Sequence, residues 1–111
     1  LKIVADEGVD IASVGIDTCG VDFVFICKDG GVLRNPYCYR DPHTVGAMDE
    51  YFKLVPKEKV YEKTGIQFMN FNTLFQLFVE MRDNPELLAA ADKLLFIPDL
   101  LNYFLNAIVI I

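Results

Sequence analysis

The stretch Phe23-Val24-Phe25-Ile26-Cys27-Lys28-Asp29-Gly30-Gly31-Val32-Leu33-Arg34 decides the fold class. Its first five residues are apolar without alternation, as in a strand buried on both faces. Asp29-Gly30 is a pair that tolerates positive φ at the centre of a tight turn, and Val32-Leu33-Arg34 leads back, so the stretch predicts a β-hairpin. Just upstream, Ser13-Val14-Gly15-Ile16-Asp17-Thr18 is short and β-branched and reads as another strand. A strand apolar on both sides needs neighbours, so the sheet is incomplete as it stands and its remaining strands are expected outside the sequence.

Beyond the hairpin the pattern changes. Asn35-Pro36 opens a polar and aromatic segment, Tyr37-Cys38-Tyr39-Arg40-Asp41-Pro42-His43, in which two prolines prevent regular structure and predict an ordered loop. Met48, Tyr51, Phe52 and Val55 then recur at the spacing that lines one helix face. Pro56 starts a second, polar helix over 57–64, closed by Gly65 and anchored by Val60 and Tyr61. A third begins at Asn72 or Thr73, carries the apolar stripe Leu74, Phe75, Phe78 and Met81, and stops at Asp83-Asn84. Asn84-Pro85-Glu86 restarts the chain as a fourth helix over Leu87 to Lys93. Pro98-Asp99 begins a fifth, Leu100 to Leu105, with Leu94 to Ile97 between them an extended bridge or a helix end. A β-hairpin followed by several helices suggests α/β or α+β architecture, and α/β is the expected class. With no repeat or internal boundary, residues 1–111 read as a single partial domain.

Composition narrows the function. The chain has 111 residues, 53% of them hydrophobic and 23% charged, with a net charge of −6, which is globular and not disordered sequence. Its 10 Lys and Arg are scattered singly, whereas a polyphosphate backbone is held by a clustered basic face, so no nucleic acid is expected. Cys19, Cys27 and Cys38 are odd in number and lack a C-x-x-C spacing, and His43 is the only histidine. A zinc site is therefore excluded, and reduced thiols in a cytoplasmic protein are the plain expectation. Leu100 to Ile111 is the most apolar stretch, but it is shorter than the ~20 residues of a membrane span and is interrupted by Asn102 and Asn106. No membrane insertion is expected. The acidic start, Leu1-Lys2-Ile3-Val4-Ala5-Asp6-Glu7, lacks an initiator Met and reads as an internal cut, not a leader.

Three stretches could carry chemistry. In Gly15-Ile16-Asp17-Thr18-Cys19-Gly20-Val21-Asp22 a strand ends in a polar turn whose glycine would allow a ligand to approach the backbone, or the turn is simply a capped one. Tyr39-Arg40-Asp41 could hold a polyol through charge-assisted hydrogen bonds, or form a local Arg/Asp pair that pins the loop. Thr64-Gly65-Ile66-Gln67-Phe68-Met69-Asn70-Phe71-Asn72-Thr73 is a polar and aromatic loop entering a helix, or simply a capped connection with Phe68 and Phe71 in the core. Asp17 and Asp22 could form a carboxylate pair for Mg²⁺ but serve equally as turn and strand caps. His43 has no nucleophile beside it and reads as a surface residue.

The order of the motifs carries more than any one of them. Gly15 to Phe23, Asn35 to Pro42, Tyr61 to Leu77 and Pro98-Asp99-Leu100-Leu101-Asn102-Tyr103, in that order, resemble the N-terminal domain of rhamnulokinases, within the FGGY carbohydrate kinases. The resemblance spans roughly residues 10 to 105. It implies a partial ribonuclease H-like (actin-like ATPase) domain and a parent enzyme that uses ATP and Mg²⁺ to phosphorylate the 1-hydroxyl of L-rhamnulose. Gly20 matches the family glycine that contacts the sugar, Asp22 belongs to the same motif, and Cys19 stands where the family usually has Trp. Phe71 and Asn72 match positions that related kinases bring toward the substrate. The family's phosphate-gripping turn and general-base Asp match no residue here, so no catalytic or metal residue is assigned, and the chain alone is expected to be inactive and to bind no cofactor. The competing readings are a non-catalytic sugar-binding or interaction module and a kinase for another ketose such as L-fuculose or xylulose. An exposed strand edge and an apolar tail lead to the expectation that the chain by itself self-associates.

Overall fold

In the computed structural model, which describes residues 6–106, the apolar run forms strand β1 (Phe23–Ile26). A 3-10 turn (Pro42–Thr44) and helices α1 (Ala47–Leu54), α2 (Lys57–Thr64), α3 (Thr73–Asp83) and α4 (Pro85–Ala90) follow, then strand β2 (Lys93–Phe96) and helix α5 (Ile97–Asn106). All four residues of β1 are buried, as an unalternating apolar strand requires. Its ladder partner, however, is β2, antiparallel, with Val24 opposite Leu95 and Phe23 opposite Phe96.

That pairing takes one edge of β1, and the hairpin on the other edge is shorter than the sequence predicts. The return segment contributes only the bridge Ile26–Val32, supported by Leu33 N donating to Phe25 O at 2.9 Å and Cys27 N to Gly31 O at 3.0 Å. Val32 stays 37% exposed while Leu95 is 5% exposed, so the short return segment buries less apolar surface than β2 does. The same pairing ends α4 at Ala90 and turns Lys93–Phe96 into strand, where the sequence reads helix to Lys93. No strand forms at Ser13 to Thr18. Val14 there is 54% exposed, and without a neighbouring ladder among the described residues its β-propensity has nothing to pair with.

The helices follow their signals more closely. Asn72 stands at the N-cap position of α3, and Gly65 closes α2 at φ 62°. Ala47, Phe75, Phe78 and Val79 form one buried cluster, with Met48, Tyr51, Phe52, Phe68 and Leu74 packed on it. Two expected anchors fail: Tyr61 and Met81 are each 57% exposed. Because α3 packs against α1, α4 and the 3-10 turn, its buried arc is wider than one stripe and takes in Gln76, Val79 and Glu80 while Met81 turns outward.

A second cluster, Val24, Ile26, Leu95 and Leu100 with Ile97 and Tyr103, sits on the sheet. Two separate clusters fit the radius of gyration, 17.4 Å, against the ~13 Å of a compact domain of this length. The turn between them is tightly specified. Tyr103 Oη donates to Gly30 O at 2.9 Å, and the Cys27 thiol and Gly31 N both donate to Asp29 Oδ1. Those bonds, the thiol's first, hold the Asp29 carboxyl below its usual range. Arg34, just beyond, donates through both terminal nitrogens to the carboxylate of Glu80 on α3, which also accepts from Asn84 Nδ2 at 2.9 Å. Among the described residues no helix is long and apolar enough to cross a membrane. The expectations for the start, Leu1 to Ala5, and for the tail beyond Asn106 lie outside the described residues.

Two outcomes follow for stability. Gly30 has φ 88°, and a Cβ there would meet Tyr103 Oη at 2.6 Å, so Gly30→Ala should destabilise by ~1–3 kcal/mol, read as a lower melting temperature. Arg34→Leu leaves the carboxylate of Glu80, 1% exposed, without its cation and should lose ~3 kcal/mol in urea denaturation. The double change Arg34→Leu with Glu80→Leu should recover most of that loss; no recovery would show that the pair is not the cause.

Candidate functional site

The loop after the hairpin is built from side chains. The Arg34 guanidinium lies over the Tyr37 ring, 4.4 Å from its centroid, and the other partner of Tyr37 is His43, stacked with 4.0 Å between ring centroids. Asp41 Oδ1 accepts from His43 N at 2.9 Å and so caps the 3-10 turn. The local Arg/Asp pair read from the sequence is thereby corrected: Asp41 bonds the turn, while Arg40 Nε donates to Tyr39 Oη at 2.8 Å. His43 is not a surface residue either. Its side chain is 12% exposed, and although Nδ1 lies 3.3 Å from Asp41 Oδ1, neither ring nitrogen makes a hydrogen bond among the described residues. It is a packing wedge with no nucleophile to serve.

The third stretch meets the second. Phe71 lies edge-on to Tyr39, with ring centroids 5.6 Å apart, and Tyr39, Arg40, Asp41, Asn70 and Phe71 line a concavity of ≈ 380 Å³. An aromatic wall facing a guanidinium and an amide is a combination that suits a polyol: the rings cover C–H faces and the polar groups meet hydroxyls. Asn72 is placed differently. Its Oδ1 accepts from Met69 N at 2.7 Å, so the side chain closes the 69–72 turn, and it borders a separate, smaller hollow of ≈ 170 Å³ with Val60, Phe68 and Phe75.

The Gly20 turn stands apart from both hollows. Cys19, Gly20 and Asp22 line neither. Cys19 and Gly20 are exposed, Gly20 has no atom within 4 Å of where a Cβ would stand and no positive φ, and Cys19 Sγ is 3.9 Å from Asp22 Oδ2. Asp22 O accepts from Ile97 N at 3.1 Å, which ties the turn to the junction of β2 and α5. Its Oδ1 is buried and has no hydrogen-bond donor among the described residues, an acceptor that calls for a partner.

Sequence reasoning missed two residues that shape this region. Gln76, 3% exposed, donates from Nε2 to Phe71 O at 2.8 Å, and Glu80, 1% exposed, holds Arg34. The signal was present: two polar residues four apart, hence on one face, inside an apolar helix. For a metal ion the donor set does not fit. Among the described residues no three His, Cys, Asp or Glu side chains converge, and Asp17 is exposed, so these residues by themselves make no seat for Mg²⁺.

Comparison with known proteins agrees with the motif order. The model of the N-terminal domain of the FGGY family of carbohydrate kinases matches residues 3–109. The chain is 58% identical to a rhamnulokinase of Bacteroides thetaiotaomicron over 96% of its length and 22% of that protein's. It is 47% identical to one of Ligilactobacillus salivarius, again over 96% of the chain and 21% of the relative. For one of Oceanobacillus iheyensis the identity is 44%, over 96% and 23%. The chain thus spans about a fifth of the length of these relatives. A match running through every described element places the chain in the FGGY family of carbohydrate kinases, in the N-terminal domain of that family.

Proposed function

We propose that this chain is the sugar-facing part of a rhamnulokinase, and that the complete protein moves the γ-phosphoryl group of ATP to the 1-hydroxyl of L-rhamnulose with Mg²⁺ in the cytoplasm. The carrying observation is identity of 58% to 44% over 96% of the chain to three proteins that bear that name. The two-stranded sheet is then a piece of a ribonuclease H-like domain, a reading that fits a β1 buried throughout yet with one full ladder partner. The role of these residues is to bind and orient a polyol. Tyr39, Arg40, Asn70 and Phe71 supply the aromatic and polar walls of one subsite. The open Gly20 turn supplies a second surface suited to sugar hydroxyls. Cys19 replaces a large aromatic with a thiol beside that surface, and this favours weighing other ketoses as substrates.

The test is ADP release by the full-length protein with L-rhamnulose, L-fuculose and D-xylulose. The highest kcat/KM is expected for L-rhamnulose. Preference for another ketose would reassign the substrate, and sugar binding without turnover would favour the non-catalytic module. The 111-residue chain alone should release no ADP with any of them, because positioning of metal, phosphate and base needs groups that do not converge among its described residues.

Gly20→Val in the full-length protein separates ligand contact from fold. With no positive φ and no neighbour within 4 Å of the added Cβ, the change should leave the melting temperature within about 2 °C. Sugar KM should rise at least about tenfold if the backbone meets the sugar. A variant with unaltered KM would remove Gly20 from the sugar site.

A further inference from the structure

We infer that Gln76 is a positioning residue of the polyol subsite, setting sugar affinity through Phe71 without touching the sugar. The inference rests on the reading of the Tyr39, Arg40, Asn70 and Phe71 concavity as a sugar subsite.

Gln76 sits between Phe75 and the buried Phe78 and Val79 on α3, at 3% exposure. A buried primary amide is costly unless its groups are bonded. Nε2 donates to Phe71 O at 2.8 Å, five residues back along the chain. That carbonyl lies ahead of the Asn72 N-cap position, outside the helical ladder, so no α3 backbone N–H is set to satisfy it. The bond therefore clamps the peptide plane after Phe71 onto the most buried helix of the described residues.

The consequence reaches the ring. Fixing the Phe71 carbonyl fixes the backbone that aims its Cα–Cβ bond, and the ring then stands 5.6 Å from Tyr39, edge-on, as one wall of the ≈ 380 Å³ hollow. On the other side of Phe71, the Met69 N to Asn72 Oδ1 bond at 2.7 Å closes the loop. Phe71 is thus held from both flanks, and Gln76 supplies the only side-chain donor to its carbonyl among the described residues. An apolar side chain at position 76 would satisfy the core equally well. What the amide adds is a defined place for Phe71.

The experiment uses the full-length protein. Gln76→Met keeps the length and bulk of the side chain but removes the donor, and Gln76→His restores an N–H at similar reach. Gln76→Met should raise sugar KM about fivefold, the effect of one net hydrogen bond, with ATP KM unchanged and melting within about 3 °C. Gln76→His should recover at least half of that loss. An unchanged sugar KM in Gln76→Met, while Phe71→Ala raises it, overturns the positioning role and leaves the subsite standing. An unchanged sugar KM in both overturns the subsite itself. If Gln76→Met fails to fold, or raises sugar and ATP KM alike, the amide is a requirement of the whole fold and the inference is wrong.

Discussion

The carboxylate of Glu80, 1% exposed on α3, is the point from which the two halves of the described structure are tied. The sheet cluster and the helix cluster share no residue. Between them Arg34, leaving the β-turn, meets Glu80 with both guanidinium nitrogens, and Asn84 at the end of α3 donates to the same carboxylate. A buried carboxylate is tolerable only with such a set of donors. The ion pair gains little over apolar packing in free energy, but once the carboxylate is buried it dictates where Arg34 must be. Everything hung on Arg34 follows, namely the stack onto Tyr37, then His43, then the Asp41 cap. A segment whose prolines deny it a backbone ladder thus acquires one conformation from side chains together with two turn bonds, Asp41 N to Cys38 O and Val45 N to Pro42 O.

Signals in the sequence are legible where the determinants are local. Pro56 and Gly65 bound α2 because a proline ring and a left-handed residue act on their own backbone, and Asn72 and Asn84 flank α3 for similar reasons. The partner of β1 is not legible. Asp29-Gly30 does make the turn and its short return takes one edge of β1, but the segment that pairs along the other edge, Lys93–Phe96, lies about 70 residues away by chain numbering and is visible only to tertiary structure. The misreading of α4 is the same event seen from the other end, since Lys93 cannot be both helix and ladder. Met81 fails for a third reason: a single apolar stripe presumes one neighbour, whereas α3 has neighbours on three sides.

The candidate site divides in the same way. Tyr39-Arg40-Asp41 and the Phe71 loop could each be singled out from residue type, but not their meeting, because the 5.6 Å approach of Tyr39 to Phe71 depends on how the 3-10 turn seats on α3. The motif order supplied the family where geometry could not. Cys19, Gly20 and Asp22 illustrate the converse: they match a motif, yet Cys19 and Gly20 are exposed and Asp22 keeps a buried oxygen with no donor among the described residues. None of the three lines the Tyr39 hollow.

Gln76 and Glu80 together explain why an otherwise apolar helix carries two buried polar groups. They are four residues apart, one turn of α3, and so lie on the same face. Glu80 fixes the segment that bears Tyr39 and Arg40, and Gln76 fixes the carbonyl of Phe71. Each wall of the hollow is irregular backbone, which hydrophobic burial alone would leave free to settle in several arrangements of similar energy. Directional bonds from one rigid helix remove that freedom, because a hydrogen bond weakens steeply when its angle or distance changes. The two walls are then spaced by a single turn of helix and cannot drift independently. A hydrophobic pair at the same positions would pack α3 as firmly and leave the width of the hollow unspecified.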